Sequence, residues 1–364
     1  ILFIIFVQKT GITNLPLHYG KAPQWLFPRM VKLSGAILTI IRDEYGNGEV
    51  IRRLSNPYFF QALSMVAGFD WHSSGTTTVL MGAIKEALNE REIGIKVAGG
   101  KGRNSLNTPK EILDLNKNAF IKDSFVDKLI YASRMSAKVD NTLLQDGFSL
   151  YFHTIVISDS GDWAVVQQGM NTENKYARRY HWLGNISSFV DSPHSGIFSD
   201  IILEKVLDLT AKESEGTRRI SVDIVNENPE KYKNLFVKEI KNMRTLDYYN
   251  NIKYFSMPWR INWEHLRKIY EFKPKNYEEL VTIKDVGPAT VRALAYIGNI
   301  IYGDEPSWKD PVKYSFAIGG KDGVPRPVDK KAYDESILFL EKMVEGLDLN
   351  ERKEALLKLK KLIP

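Results

Sequence analysis

Apolar residues recur at helical spacing from Pro23 to Tyr45: Leu26, Met30, Leu33, Ile37 and Ile41 lie three or four positions apart, and Gly46 is the stop. Pro57 opens a second predicted helix to about Val66. Ser74 and Thr76 to Thr78 lead into a third from Val79 to Leu88, and another spans roughly Ser124 to Leu144, ending at Gly147. Thr108-Pro109-Lys110-Glu111 has the form of a capping box with proline at the first helical position. The period then shortens to two. Ser149 to Ile157 is rich in aromatic and β-branched residues, Ser158 to Asp162 reads as a turn, and Trp163 to Gln168 reads as the returning strand. Arg178 to Leu183 adds a third strand. After Pro193 the chain returns to helices, with Asn228-Pro229-Glu230 as a helix start and the final helix over Glu351 to Leu362.

This pattern predicts an α+β fold, predominantly helical, with a small central antiparallel sheet and a C-terminal helix-hairpin-helix module. It divides the chain into a helical segment (1–147), a central α/β region (148–255), the hairpin module (256–305) and a closing loop with helices (306–364). The apolar run Ile1 to Val7 is far shorter than the roughly 20 residues a membrane-spanning helix needs. It is expected to be an over-extended start or a short strand, with no membrane anchor.

Composition narrows the chemistry. The 364 residues include no cysteine, which removes disulfides, thiolate metal sites and cysteine nucleophiles and points to the cytoplasm. Any bound metal must use His, Asp, Glu, Asn or backbone oxygen, a donor set that suits Mg²⁺, Mn²⁺ or zinc without sulfur. The formal charge of +6, from 50 Lys and Arg against 44 Asp and Glu, matters only where the cations cluster, because clustered cations release counterions from phosphates.

The most specific motif lies between Tyr277 and Ala295, where Lys284-Asp285-Val286-Gly287-Pro288 joins two short helices. Ile283 and Val286 can pack between the helices. Gly287 reads as a residue chosen for a backbone conformation that side chains resist, and Pro288 pre-sets the first turn of the second helix. The remaining first-turn amides, at Ala289 and Thr290, form an anion site at the positive end of the helix dipole, with Lys284 and Arg292 beside it. The arrangement resembles the helix-hairpin-helix of DNA repair enzymes, ligases and nucleases, which implies a grip on phosphates without sequence reading. The plainer alternative is an ordinary helical hairpin with a Gly-Pro turn.

Other groups suggest catalysis. Asp70 and His72 precede Ser73-Ser74-Gly75-Thr76-Thr77-Thr78 at a helix start and could hold a metal or move protons; the alternative is a capped helix with a hydrogen-bonded histidine. His153 is expected on a strand face shared with Tyr151 and Ile155. With His181, His194 and the carboxylates Asp159, Asp162 and Asp191, it could build a site for metal-assisted phosphodiester cleavage. Val97-Ala98-Gly99-Gly100-Lys101-Gly102-Arg103 reads as a glycine-rich loop, and Gly319-Gly320-Lys321-Asp322-Gly323 echoes it. Neither has P-loop spacing, but Lys101, Arg103 and Lys321 could contact a nucleic-acid backbone, as could Arg178 and Arg179.

Longer strings carry a family resemblance. Lys9-Thr10-Gly11-Ile12, Gly68-Phe69-Asp70-Trp71-His72-Ser73-Ser74-Gly75, Ala98-Gly99-Gly100-Lys101-Gly102 and Trp163-Ala164-Val165-Val166-Gln167-Gln168-Gly169-Met170 resemble the archaeal and bacterial domain-of-unknown-function family numbered 763. Ala177-Arg178-Arg179-Tyr180-His181-Trp182, Pro193-His194-Ser195-Gly196 and Trp308-Lys309-Asp310-Pro311 continue the match, and Met257-Pro258-Trp259-Arg260 departs from it. The resemblance implies a prokaryotic intracellular protein and transfers no catalytic residue. The expected function is therefore nucleic-acid backbone binding, with DNA the first partner, RNA the second and a homodimer allowed. Metal-dependent nuclease activity in DNA repair is one extension. A non-enzymatic DNA-structure, chromatin or RNA-complex protein is the other.

Overall fold

The computed structural model describes residues 24–68, 74–173, 176–199, 201–231 and 263–312. The first apolar stripe becomes α1 (Phe27–Tyr45), which buries Met30, Leu33, Leu38 and Ile41 and ends where Gly46 takes a φ of 85°. Helix α2 (Asn47–Leu54) follows at once on a short amphipathic segment whose pattern had suggested no element; Val50, Ile51 and Leu54 are its buried face. Asn56 caps α3 (Pro57–Val66), its side chain accepting from the amides of Tyr58 and Phe59. Helix α4 (Ser74–Glu90) begins at Ser74 rather than Val79, with Thr76 and Thr77 buried in its first turns.

The next strand corrects the sequence reading. The glycine-rich stretch is not a loop but β1 (Ile95–Lys101), paired antiparallel along its whole length with β3. Gly99 adopts a φ of +98°, and a Cβ there would fall 2.3 Å from the carbonyl oxygen of His153. The glycine thus permits close approach of two backbones, and its amide donates to Glu111. After α5 (Arg103–Leu106), helix α6 (Thr108–Lys117) starts where expected, but without the capping box. Thr108 already lies inside the helix, and its hydroxyl donates to the carbonyl of Ser105. Glu111 instead accepts from the ammonium of Lys85 and the amide of Gly99.

Helix α7 (Asp123–Thr142) leads through β2 (Leu144–Gln145) into the sheet. β3 (Ser149–Ser158), β4 (Trp163–Asn171) and β5 (Tyr176–Leu183) are the three strands predicted from alternation, and β6 (His194–Ser199) extends them. The order is β1-β3-β4-β5-β6, antiparallel throughout, so the sheet draws its first strand from the segment before Gly147. β7 (Leu207–Asp208) pairs with β2.

Helices cover both faces. On one, α1 to α4 pack Leu38, Leu54, Leu80 and Ile84 against Val97, Val156 and Val166. On the other, α7, α8 (Glu215–Asn226), α9 (Trp263–Phe272) and the helical hairpin α10 (Tyr277–Thr282) and α11 (Pro288–Tyr302) close over Ile155, Val165 and Trp182. The chain is therefore an α+β protein, with its central antiparallel sheet between helical layers. The hairpin is part of this core. Val286 at its tip is fully buried, a contribution of about 1.5–3 kcal/mol for a side chain of this size. Among the described residues no helix is long and apolar enough to cross a membrane.

Candidate functional site

The histidines expected to form one catalytic group are divided by the sheet. A bulge between Leu150 and Phe152 turns Tyr151 toward the α1–α4 layer, away from His153, which keeps only Ile155 on its face. His153 is buried against α7: its Nδ1 donates to Oε1 of Gln167 at 2.7 Å, and its Nε2 accepts from the hydroxyl of Ser133 at 2.8 Å. Burial lowers its pKa, so the neutral ring fits that assignment. His181 sits on the opposite face, fully buried beside Phe60. Its Nδ1 donates to the carbonyl of Leu54, its Nε2 accepts from Nε of Arg179, and burial followed by the Arg179 charge holds its pKa well below normal. Neither ring can reach a substrate as placed. The carboxylates disperse too: Asp159 accepts from Asn47, Asp162 from Ser160, and Asp191 lies 3.4 Å from Arg218. Among the described residues no three His, Asp or Glu side chains gather as metal ligands. Asp70, His72 and Lys321 fall outside the described residues.

The paired arginines are also core residues rather than nucleic-acid contacts. Arg178 is fully buried and bridges Asp146 at 3.0 Å and Asp310 at 2.7 Å. Arg179 lies between the rings of Phe60 and Phe198. Buried guanidinium groups need such partners, and these are found inside the protein, although Nε of Arg178 has none among the described residues. Lys101 and Arg103, by contrast, are exposed.

His194 opens onto a cavity. It lines a space of about 250 Å³ together with Asp208, Thr210, Lys212, Ser307 and Lys309. Its Nε2 donates to Oδ1 of Asp140 at 2.5 Å, while Oδ2 of Asp140 accepts from the indole of Trp182 at 3.0 Å and from the amide of Gln167. Trp182 also packs edge-on against the imidazole, centroids 4.7 Å apart. Three donors thus fix a buried carboxylate, and that carboxylate fixes the ring. Nδ1 of His194 has no partner among the described residues. Across the cavity Oδ1 of Asp208 accepts from the amide and hydroxyl of Thr210, at 2.8 and 2.6 Å. Burial pushes the Asp208 pKa upward, opposed in part by Thr210 and by the charge on His194.

The hairpin forms a second exposed feature. Residues 283–287 turn between α10 and α11, and Gly287 has φ −127° and ψ −174°. This is extended backbone open to any residue, so the expected need for an unusual conformation is corrected. A Cβ at Gly287 would meet nothing within 4 Å. The amides of Thr290 and Val291 turn back to the carbonyl of Gly287, whereas those of Gly287 and Ala289 have no partner among the described residues. Lys284 and Ala289 are exposed, and Lys138 of α7 braces the loop by donating to the carbonyls of Ile283 and Lys284 at 3.3 and 3.5 Å. Arg292 is partly buried, and its Nε has no partner among the described residues.

A family model described as a protein of unknown function, DUF763, matches residues 11–328. The chain belongs to that family. No curated protein and no solved structure matches it.

For this DUF763 member the sequence reading missed Asp140, Asp208, Lys212 and Lys309. Asp140 had a legible signal. Leu129, Ser133, Ser136 and Asp140 follow helical spacing on α7, and all are buried, so a carboxylate occupies a core position. A charge placed there needs partners, which here are His194 and Trp182. The cavity lysines gave no such signal, because they come from segments distant in sequence, a 3-10 turn and the loop after α11, joined by tertiary contact, with Asp208 bridging to Ser307.

Proposed function

We propose that this protein binds nucleic-acid backbone, DNA foremost, without sequence preference, through the α10–α11 hairpin. The observation that carries the reading is the pair of unpartnered amides at Gly287 and Ala289, at the start of a 15-residue helix whose approach is clear of side chains. Amides at a helix N-terminus, with the positive end of the dipole behind them, suit a phosphate oxygen. Lys284 adds charge beside them. The turn presents backbone donors, which favours positioning over sequence readout. The rigid seat of Val286 in the core and the Lys138 brace would hold the amides in place.

Metal-dependent cleavage through His153 and His181 has no support in this arrangement, since both are enclosed. That extension now rests on His194, and on Asp70 and His72, which lie outside the described residues. The binding reading is tested by fluorescence anisotropy with labelled duplexes of unrelated sequence, matched single strands and RNA, over a range of salt. Affinities should agree among sequences and fall linearly on logarithmic axes as salt rises. A strong preference for one sequence, or binding indifferent to salt, would remove the hairpin as the main grip.

A further inference from the structure

The cavity beneath His194 is not used by the hairpin reading, and its construction is specific. The sequence places a carboxylate, Asp140, on the buried stripe of α7, and β6 brings His194 over it. With Nε2 committed to Asp140, the ring can act toward the cavity only through Nδ1, as an acceptor when neutral and a donor when protonated. Lys212 and Lys309, both exposed, line the same cavity, one from the 3-10 turn Lys212–Ser214 and the other from the loop after α11. The hydroxyl of Thr210 and the Ser307 segment are tied down: Ser214 donates to the carbonyl of Asp208 and accepts from the amide of Ser307. Asp208 and Glu213 also line the space. Glu213 is exposed, as the two lysines are, while Asp208 is buried with Oδ1 accepting from Thr210, and burial, which favours its neutral carboxyl, lessens the charge that would oppose an anion.

We propose that this cavity is a phosphomonoester-binding site, in which Lys212 and Lys309 take the phosphate charge and Nδ1 of His194 hydrogen-bonds it. The volume of about 250 Å³ equals roughly eight waters at ~30 Å³ each, room for a phosphate with a sugar but not for a helix. Lysine ammonium groups suit phosphate as flexible point charges. The same chemistry comes from a free nucleoside monophosphate or from the phosphorylated end of a strand. The site is independent of the hairpin.

Calorimetric titration of the full chain tests this, using AMP against adenosine, inorganic phosphate, and a short oligonucleotide with a 5′-phosphate against the same one with a 5′-hydroxyl. Binding should require the phosphate. The double variant Lys212→Ala with Lys309→Ala removes exposed side chains only, and should weaken it at least tenfold, the effect of losing one charge-assisted hydrogen bond of about 1.4 kcal/mol. His194→Gln retains a donor for Asp140 while deleting the cavity-facing nitrogen, and should weaken it comparably. Gly287→Ala should leave AMP binding unchanged, which separates this site from the hairpin. Phosphate-dependent binding of AMP would identify a free nucleotide as a ligand; phosphate-dependent binding of the oligonucleotide alone would identify a strand end. Equal affinity for phosphorylated and unphosphorylated ligands, or affinity untouched in the double lysine variant, would overturn the proposal.

Discussion

Replacing Gly287 with alanine separates what the hairpin does for the fold from what it does for a ligand. At φ −127° and ψ −174° alanine is sterically allowed, and its methyl group meets no atom within 4 Å. The substitution should therefore leave folding intact. Loss of glycine's freedom in the unfolded chain should raise stability by about 0.4–1 kcal/mol. The methyl group does enter open space beside the Gly287 amide, which the proposed phosphodiester would share. Losing one charge-assisted amide–phosphate bond costs about 1.5–3 kcal/mol, so affinity should fall by roughly 10- to 150-fold. Gly287→Val should fall further. The assay is anisotropy on a labelled duplex at fixed salt, paired with chemical denaturation of each variant. Lys284→Ala, measured alongside, should reduce the logarithmic salt slope by about 0.9 if that lysine contacts one phosphate. Wild-type affinity in both glycine variants, within a factor of two, would refute the reasoning. So would a loss of stability in Gly287→Ala, since it would show the position serving packing.

Three further predictions concern the core. His153 and His181 are both buried with pKa values held below 6.5, so the unfolded chain binds protons that the folded chain refuses. Their contribution is complete above pH 6.5 and is lost as pH falls below it, by up to about 1.4 kcal/mol per pH unit for each ring; denaturation at pH 7 and pH 5 should show this, and His181→Gln should flatten the dependence. Asp140→Asn sets an amide NH2 against either His194 on one oxygen or Trp182 and Gln167 on the other, all of them donors, and should cost about 2–4 kcal/mol in chemical denaturation. A change below 0.5 kcal/mol, on the scale of an ordinary surface substitution, would show that Asp140 does not organise this network. Arg178→Met strands Asp146 and Asp310 without their cation and should cost about 3–5 kcal/mol, while the folded fraction binds DNA as before. A selective loss of DNA affinity at unchanged stability would return Arg178 to the interface.

Much of the architecture was legible because it rests on local pattern. The strands over β3, β4 and β5 follow from alternation of β-branched and aromatic residues, and α1 and α7 from apolar stripes. The glycine-rich segment misled because glycine signals a turn and a close backbone approach equally well; only the pairing of Gly99 with Thr154 decides between them. Helix α2 was hidden by its brevity between two glycine and asparagine signals. The arginine pair and His181 looked functional because charge is costly to bury, yet their partners Asp146, Asp310, Phe60 and Phe198 come from distant parts of the chain. Sequence spacing alone carries no information about such pairings. His194 was a candidate in both readings, but its pairing with Asp140 became visible only once α7 lay across the sheet.

The hairpin and the cavity share two supports. On α7, Lys138 braces the hairpin carbonyls and Asp140, two positions on, fixes His194. Helix α11 begins at the hairpin amides, and the chain beyond its C-terminus supplies Ser307 and Lys309 to the cavity. A helix of 15 residues is about 22 Å long, which sets the scale of the distance between the two features. At 3.4 Å per nucleotide along one strand of a duplex, that length corresponds to about six base pairs. If one DNA molecule engages both, a 5′-phosphate should strengthen binding of duplexes longer than this span through linked engagement. On shorter duplexes the two contacts should compete or act singly. Measuring the affinity ratio of phosphorylated to unphosphorylated duplexes from four to sixteen base pairs tests the linkage, in wild type and in Gly287→Ala. A ratio that steps up beyond about six base pairs and collapses in Gly287→Ala fits joint use. A ratio independent of length would mean that the two features, though held by the same helices, serve separate ligands.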